Sequence, residues 1–358
     1  MTSAIVWLAL AVALLLVLCW KVKLHRWRRP RLRTPDLPAE LPDYWHADDP
    51  RKLAAALVQR ERTEPRIIPG AEAIIRFHEP KHPARTRVCY LYLHGLSACR
   101  QETAPVTETL AQRDEANAVY ARIAGHGMGD QAMSEVDGAA WLESVWEFWL
   151  MARALGDQVV VVATSTGAAS AVWLLQQPGV SEKVRALLCM APNFKVRNPL
   201  AFLLTWPGAD YWLPQVVSPE KRWHSLDPRQ QKYWSTNYGN RALIQMELLL
   251  EQVQHAPVET FNVPLMIQCS PEDPVVDAQF ARDLFDRWGG EPKLFRWFTV
   301  AQGESPHVFV GDIMAPQNNS DVIQSFRDFL TRLPAAKAEQ ARASVEADLE
   351  TGAARAQE

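Results

Sequence analysis

The sequence has no excess of charge of either sign. Its 358 residues include 38 Lys and Arg and 41 Asp and Glu, a net charge of -3. A surface that binds nucleic acid normally carries a basic excess, so a nucleic-acid partner is not expected. Cysteine is also scarce, with five residues and none of the paired spacings of a zinc site or a disulfide framework. Most of the cysteines lie in apolar runs, which favours buried thiols in a reducing compartment and no bound metal.

Charge is entirely missing from residues 3–20, and the segment that follows, 21–33, contains seven Lys and Arg. At about 1.5 Å per residue the apolar run reaches roughly 27 Å, just enough to cross the hydrocarbon core of a bilayer. A cleaved signal peptide would have its basic residues before the apolar run, whereas here they come after it. We therefore predict an inner-membrane anchor at 1–20, with the rest of the chain on the cytoplasmic side. An unusual signal peptide and a buried helix are the alternatives.

Beyond the anchor, residues 21–70 are rich in charge and proline and are predicted to be a basic juxtamembrane segment and linker. From residue 71 onward, strand-like and helix-like stretches alternate. Alternation of this kind predicts an α/β fold with a mostly parallel central sheet and helices on both faces. The predicted strands lie at 71–77, 87–95, 117–127, 158–163, 184–192, 264–270 and 293–299. The domain is expected to end near 333, because residues 334–358 contain few large apolar side chains and resemble a frayed helix or a disordered tail.

The alternation breaks at about 195–262. This insertion is rich in aromatic residues, in stretches such as "LLTWPGADYWLP" and "QQKYWSTNYGN". Large aromatic side chains fill cores and line ligand sites equally well, so the insertion is either a second small core or the wall of an apolar pocket.

Four valines at 159–162 lead into "ATSTG", 163–167. A serine between a buried strand and a helix, flanked by small residues, is typical of a nucleophile elbow, where a tight turn exposes the serine Oγ at the edge of the sheet. Ala163 stands where the first glycine of that motif usually lies. The alternative is that Ser165 is a structural residue at the end of a strand.

A serine nucleophile needs a base and a carboxylate that orients the base. "CSPEDPVVD" provides Asp273 after a predicted strand, with Glu272 and Asp277 as neighbouring carboxylates, and "GESPHVFVGD" provides His307 after the last strand. The carboxyl ends of parallel strands meet at one edge of a sheet, so these residues are expected to converge. Serine, acid and histidine in this order form the predicted catalytic triad.

An oxyanion hole is predicted from "YLHGLSA", 92–98. The backbone N–H groups of Leu96 and Thr166 are the candidate donors. Gly95 allows the turn there, and His94 is expected to orient the loop rather than to titrate. His126 lies in a second glycine-rich turn that we expect to line the pocket. The residues predicted to contact substrate are His94, Gly95, His126, Trp206, Tyr211 and Trp212.

Taken together, the "YLHGLSA", "AGHG", "ATSTG", "SPEDPVVD" and "SPHVF" segments resemble the α/β-hydrolase fold. The similarity covers about 71–333 and is strongest to the serine hydrolases that include monoacylglycerol lipases, lysophospholipases and carboxylesterases. It implies Ser165 as nucleophile, Asp273 as acid, His307 as base, a helical lid at 195–262, and no cofactor. Ala163 and the lid sequence depart from the pattern.

Three functions fit these observations. The first is a membrane-tethered hydrolase of carboxylic esters, with an acyl lipid or another apolar ester as substrate. The second is a peptidase or amidase that binds a substrate amino group through a lid carboxylate such as Asp210, Asp227 or Glu247. The third is a binding protein without catalysis, against which the intact triad argues.

Overall fold

A computed structural model describes residues 28–225 and 227–333. Its centre is a seven-stranded sheet in the order β1-β3-β2-β4-β5-β8-β9. Only the short first strand runs antiparallel, pairing with β3, while all other pairs in this sheet are parallel. The strands are β1 Ile74–Arg76, β2 Thr86–Leu93, β3 Asn117–Tyr120, β4 Gly156–Thr164, β5 Val184–Met190, β8 Leu265–Cys269 and β9 Lys293–Trp297. The predicted mostly parallel sheet is confirmed.

The central strands are buried on both faces, which explains their nearly continuous apolar sequence. Register places Leu91 of β2 beside Val161 of β4, and Val161 beside Leu187 of β5. These three residues belong to the larger of the two cores that pack on the sheet, whereas their neighbours Tyr90 and Val160 belong to the core on the opposite face. Successive side chains of a strand point to opposite faces of the sheet, so one apolar run contributes to the cores on both faces.

Helices cover both faces of the sheet, as predicted. The helices are α1 Pro50–Thr63, α2 Val106–Arg113, α3 Ala132–Glu135, α4 Gly138–Leu155, α5 Thr166–Leu175, α6 Ala209–Val216, α7 Pro228–Tyr233, α8 Asn240–Gln254, α9 Ala278–Arg287 and α10 Asn319–Leu330. Buried side chains of α4, α5, α8 and α9 fill the larger core, and those of α2 and α10 fill the other.

The segment before residue 71 differs from the predicted linker, because it contains helix α1. The side chain of Asp49 caps this helix by accepting hydrogen bonds from the N–H groups of Arg51 and Lys52. Leu53 and Leu57, one turn apart, are fully buried in the larger core. The apolar run at 53–58 is short, and the charged residues and prolines on either side of it led to the linker prediction.

The insertion between β5 and β8 differs from a purely helical lid. It contains α6, α7 and α8, and also a two-stranded antiparallel sheet of β6 Glu220–Arg222 and β7 Asn237–Gly239. Helix α8 packs into the larger core through side chains that include Met246 and Leu250. The second half of the insertion is therefore part of the main domain.

Within 28–225 and 227–333, none of the helices is long and apolar enough to cross a membrane. The predicted anchor at 1–20 and the predicted tail at 334–358 lie outside the described residues.

Candidate active site

Ser165 occupies the turn between strand β4 and helix α5. Its backbone has φ 50° and ψ -122°, which is unfavourable for a residue with a side chain and costs about 1–3 kcal/mol. Neighbouring backbone groups hold it there: its N–H donates to Met190 O at 3.1 Å, and its carbonyl accepts from the N–H of Asn193 at 3.0 Å. The turn therefore has the strained geometry of a nucleophile elbow.

Gly167 explains why small residues surround this serine. A Cβ at residue 167 would lie 2.2 Å from the carbonyl oxygen of Leu93 and 2.7 Å from that of His94. The first turn of α5 thus packs directly on the end of β2. Ala163, which replaces the first glycine of the motif, is fully buried in the larger core, so its methyl group has room there.

The three predicted triad residues lie in one hydrogen-bonded chain. The Nε2 atom of His307 lies 3.1 Å from Ser165 Oγ, and its Nδ1 lies 2.7 Å from Asp273 Oδ2. Oδ1 of Asp273 accepts the N–H groups of Val275 and Val276 at 2.8 and 3.0 Å. These two bonds fix the carboxylate, which is completely buried. Nδ1–H then donates to the carboxylate, which leaves Nε2 free to accept the proton of the serine.

The loop after β2 lies beside the serine. A Cβ at Gly95 would be 3.0 Å from Ser165 Cβ, so this glycine permits a close approach of the two chain segments. The Leu96 N–H makes no hydrogen bond within the described part of the chain. Thr166 is the first residue of α5, and an N–H at that position has no partner inside its helix. Neither of the two predicted oxyanion donors therefore has a hydrogen-bond partner in the described part of the chain.

His94 and His126 are buried behind this loop. Nε2 of His94 accepts the N–H of Ile123 at 3.1 Å, so its proton lies on Nδ1 and is donated to Gly95 O at 2.9 Å. Burial lowers the pKa of His94 to about 3 and that of His126 to about 4, which keeps both rings neutral. The buried His126 ring packs against His94 and Trp141, and its contact with substrate stays a prediction.

Trp206 and Tyr211 lie at the surface of the insertion, whereas Trp212 is half-buried against a small core of the insertion formed by Ala209, Leu213, Ile244 and Leu248. Trp206 and Tyr211 are about half exposed, and Trp206 packs on Phe202. The indole N–H of Trp212 donates to Pro207 O at 3.3 Å. The described contacts of the two tryptophans are thus within the insertion.

Two residues near the serine were missed by the sequence analysis. Asn193 donates from its backbone to Ser165 and from its side chain to Thr166 Oγ1 at 3.3 Å. Glu102, buried in the loop after β2, accepts the N–H of Gly95 at 2.8 Å. A buried polar residue in a loop is the signal for both, but burial is not visible in the sequence.

In the part of the chain that the structure describes, no group of three or more His, Cys, Asp or Glu could hold a metal ion. The four described cysteines, Cys89, Cys99, Cys189 and Cys269, are buried free thiols. Ser165, His307 and Asp273, with two N–H groups nearby, form the arrangement used for acyl transfer through a serine.

Fold and site together define the α/β-hydrolase class of serine hydrolases. The family model described as "Serine aminopeptidase, S33" matches residues 84–301, more than half of the chain. The chain belongs to this family of serine hydrolases. A comparison with curated protein sequences gave no match.

Solved structures of similar fold include lipolytic enzymes. One is from the work on LipS and LipT, two metagenome-derived lipolytic enzymes (TM-score 0.59, 17% identity, 74% of this chain and 99% of that chain). Another is monoacylglycerol lipase from Paleococcus ferrophilus, with a TM-score of 0.54 and 12% identity over 73% of this chain and 98% of that chain. A third is a soluble variant of monoglyceride lipase from Saccharomyces cerevisiae in complex with a substrate analogue. Its TM-score is 0.56, with 10% identity over 74% of this chain and 92% of that chain. At these identities the similarity establishes the fold.

Proposed function

We propose that this serine hydrolase cleaves carboxylic esters of apolar acyl groups through an acyl-enzyme on Ser165. The observation that carries the proposal is the chain from Ser165 Oγ through His307 to Asp273. Ser165 Oγ attacks the ester carbonyl while His307 Nε2 takes its proton, and the Leu96 and Thr166 N–H groups bind the oxyanion. His307 then gives the proton to the leaving alcohol. Water, activated by the same histidine, releases the carboxylic acid.

An apolar surface on the insertion supports an apolar substrate. Six large apolar residues are exposed within a span of 18 residues: Leu200, Phe202, Trp206, Tyr211, Val216 and Val217. We infer that these side chains form one exposed patch, and an exposed apolar patch on a protein often marks a binding site for a protein, a lipid or a membrane. The lipolytic enzymes of similar fold point in the same direction.

We infer that this apolar surface faces the membrane and that residues 1–20 anchor the chain there. The described chain begins beside it, since the N–H of Gly208 donates to Arg28 O at 3.0 Å. Arg29 binds Glu251 at 2.6 Å and Thr205 O at 3.3 Å, which fixes this start of the chain to the insertion. A span ending near residue 20 would leave only a few residues between the bilayer and the apolar surface.

A second candidate, hydrolysis of an amide next to a free amino group, rests on Glu247. This residue of α8 is 6% exposed, and its Oε2 finds no hydrogen-bond partner in the described chain. Burial, together with Glu251, raises its pKa to about 7. A substrate ammonium would supply the missing partner. The preceding residue, Met246, contacts Asn193, which itself binds the backbone of Ser165.

Parallel assays separate the two candidates. The ester proposal predicts that kcat/KM rises with chain length across p-nitrophenyl esters and that aminoacyl p-nitroanilides react far more slowly. Glu247→Gln would then leave ester hydrolysis unchanged. Rapid cleavage of the anilides, lost in Glu247→Gln, would favour the amidase and contradict the ester proposal.

A further inference from the structure

Glu102 is a buried carboxylate close to the serine that the triad does not use. It lies seven residues after Gly95 and is only 2% exposed. A Cβ at Gly95 would be 2.8 Å from Glu102 Oε1 and 3.0 Å from Ser165 Cβ. The Glu102 carboxylate and the Ser165 side chain thus lie on the same side of the Gly95 backbone, and both approach the position that a Cβ of residue 95 would occupy.

Two donors converge on this carboxylate. Its Oε2 accepts the Gly95 N–H at 2.8 Å and the phenolic O–H of Tyr92 at 3.1 Å. Tyr92 O–H also lies 3.3 Å from Oγ1 of Thr164, the residue before the nucleophile. Burial raises the pKa of Glu102 to about 7, while the two bonds donated to Oε2 act in the opposite direction by favouring the ionised form. Glu102 therefore ties the loop after β2 to the strand that carries Ser165.

The bond to the Gly95 N–H bears directly on the oxyanion hole. The carbonyl oxygen of Gly95 accepts two hydrogen bonds, from His94 Nδ1–H at 2.9 Å and from the Ala98 N–H at 3.3 Å. In a trans peptide the N–H of the next residue points opposite to this carbonyl. Fixing both polar groups of Gly95 therefore fixes the direction of the Leu96 N–H, which has no partner of its own in the described chain.

The segment that carries Glu102 is also fixed to the loop after the catalytic histidine. The Asp312 N–H donates to Ala104 O at 2.7 Å, and a Cβ at Gly311 would lie 2.5 Å from the carbonyl oxygen of Glu102. The backbone at Glu102 is thus packed against the loop that follows His307.

We propose that Glu102 is a positioning residue, which aims the Leu96 N–H at the oxyanion through its hydrogen bond to the Gly95 N–H. Its side chain acts through the loop and need not touch the substrate. This role rests on the proposed function, because it requires an acyl transfer at Ser165. Loss of one oxyanion donor lowers kcat by about 10²–10³-fold in serine hydrolases, so misdirecting the Leu96 N–H is expected to have an effect of this size.

The test compares Glu102→Ala and Glu102→Gln with wild type and with Glu108→Ala, a control in helix α2. Three quantities are measured: kcat and KM for p-nitrophenyl butyrate, the inhibition constant of an alkyl trifluoromethyl ketone, and the rate of labelling by an alkyl fluorophosphonate. The ketone binds serine hydrolases as a hemiketal whose oxyanion needs the same donors as the transition state. Glu102→Ala is expected to lower kcat and weaken the ketone by similar factors, with KM within about threefold of wild type. Glu102→Gln keeps an acceptor for the Gly95 N–H and should recover much of the loss.

A structural role would give a different pattern. Glu102→Ala would then lower the melting temperature, yet the folded fraction would keep wild-type kcat and wild-type affinity for the ketone, which would overturn the proposal. If Glu102→Ala does not fold, Glu102→Asp replaces it under the same criteria, because its shorter carboxylate falls short of the Gly95 N–H. If the fluorophosphonate does not label the wild-type protein, the proposed function is overturned as well. If the wild type is labelled but Glu102→Ala keeps its kcat and its affinity for the ketone, only the role of Glu102 is overturned.

Discussion

His307 Nε2 lies 3.1 Å from Ser165 Oγ, although 142 residues separate the two in the chain. The fold makes this contact possible because both residues follow parallel strands of one sheet: Ser165 comes directly after β4, and His307 lies in the loop after β9, which ends at Trp297. Strands β5 and β8 lie between them in the sheet. The histidine therefore reaches the serine through the long loop after β9, where it also meets Asp273.

The role of Asp273 predicts a large effect from a small change. Asp273→Asn keeps the size of the side chain but presents an amide to His307 Nδ1, which favours the wrong imidazole tautomer. We expect kcat to fall by about 10⁴-fold with little change in melting temperature. Steady-state kinetics on a short p-nitrophenyl ester measures this. A loss of only a few-fold would transfer the acid role to a neighbouring carboxylate such as Glu272.

Gly167 predicts a steric effect. Its absent side chain lets α5 approach the carbonyl of Leu93, and a methyl group there would have to displace the backbone. Gly167→Ala should cost about 3 kcal/mol of unfolding free energy and should disturb the elbow enough to lower kcat. Urea denaturation and ester assays check both. Gly179→Ala is the control for kcat, since a Cβ there meets no atom within 4 Å; its φ of 73° costs an alanine about 1–2 kcal/mol of stability, but kcat should stay at the wild-type value.

Glu247 predicts a dependence of stability on pH. Its pKa is about 7 in the folded chain, above the usual value of 4.5, because burial disfavours the charged form. The folded state therefore holds this proton more tightly, and the contribution of Glu247 to stability falls as pH rises from about 4.5 to 7. Glu247→Gln has no proton to lose, so it should gain stability over wild type by up to about 1.4 kcal/mol per pH unit across this window. Urea unfolding at several pH values measures the difference; a difference that stays constant with pH would contradict the assignment.

The membrane proposal predicts a selective loss. A chain that begins at residue 28 keeps the contacts of Arg28 and Arg29 with the insertion, so it should hydrolyse short, water-soluble esters at the wild-type rate. Its activity on long-chain esters in anionic vesicles should fall by about tenfold or more, because the tether no longer concentrates the enzyme at the surface. Adding Trp206→Ala should lower vesicle activity further while sparing short esters. Equal effects on both substrates, or no loss on vesicles, would contradict this account.

The sequence predicted the sheet and the triad candidates for the same reason. Long apolar strands are recognisable without a structure, and Ser165, Asp273 and His307 each follow one of them. Helix α1 was not predicted, because its apolar run at 53–58 is short and lies in a segment that is otherwise rich in charge and proline. Glu102 was not predicted either: in "ACRQETAP" it lies among other polar residues, and only the folded loop brings it back to Gly95. Contacts between segments that are polar and irregular in sequence depend on the tertiary fold, which local patterns do not encode.

The covalent reactivity of Ser165 is the most direct test of the central claim. An activated serine attacks the phosphorus of an alkyl fluorophosphonate as it attacks an ester carbonyl. Incubation of the full chain with the probe, followed by peptide mass spectrometry, should place one adduct on Ser165. Ser165→Ala should take up no probe while unfolding at the same urea concentration as wild type, with Ser170→Ala as a labelled control one turn along the same helix. An adduct on another residue, or equal labelling of Ser165→Ala, would contradict the assignment of Ser165 as the nucleophile.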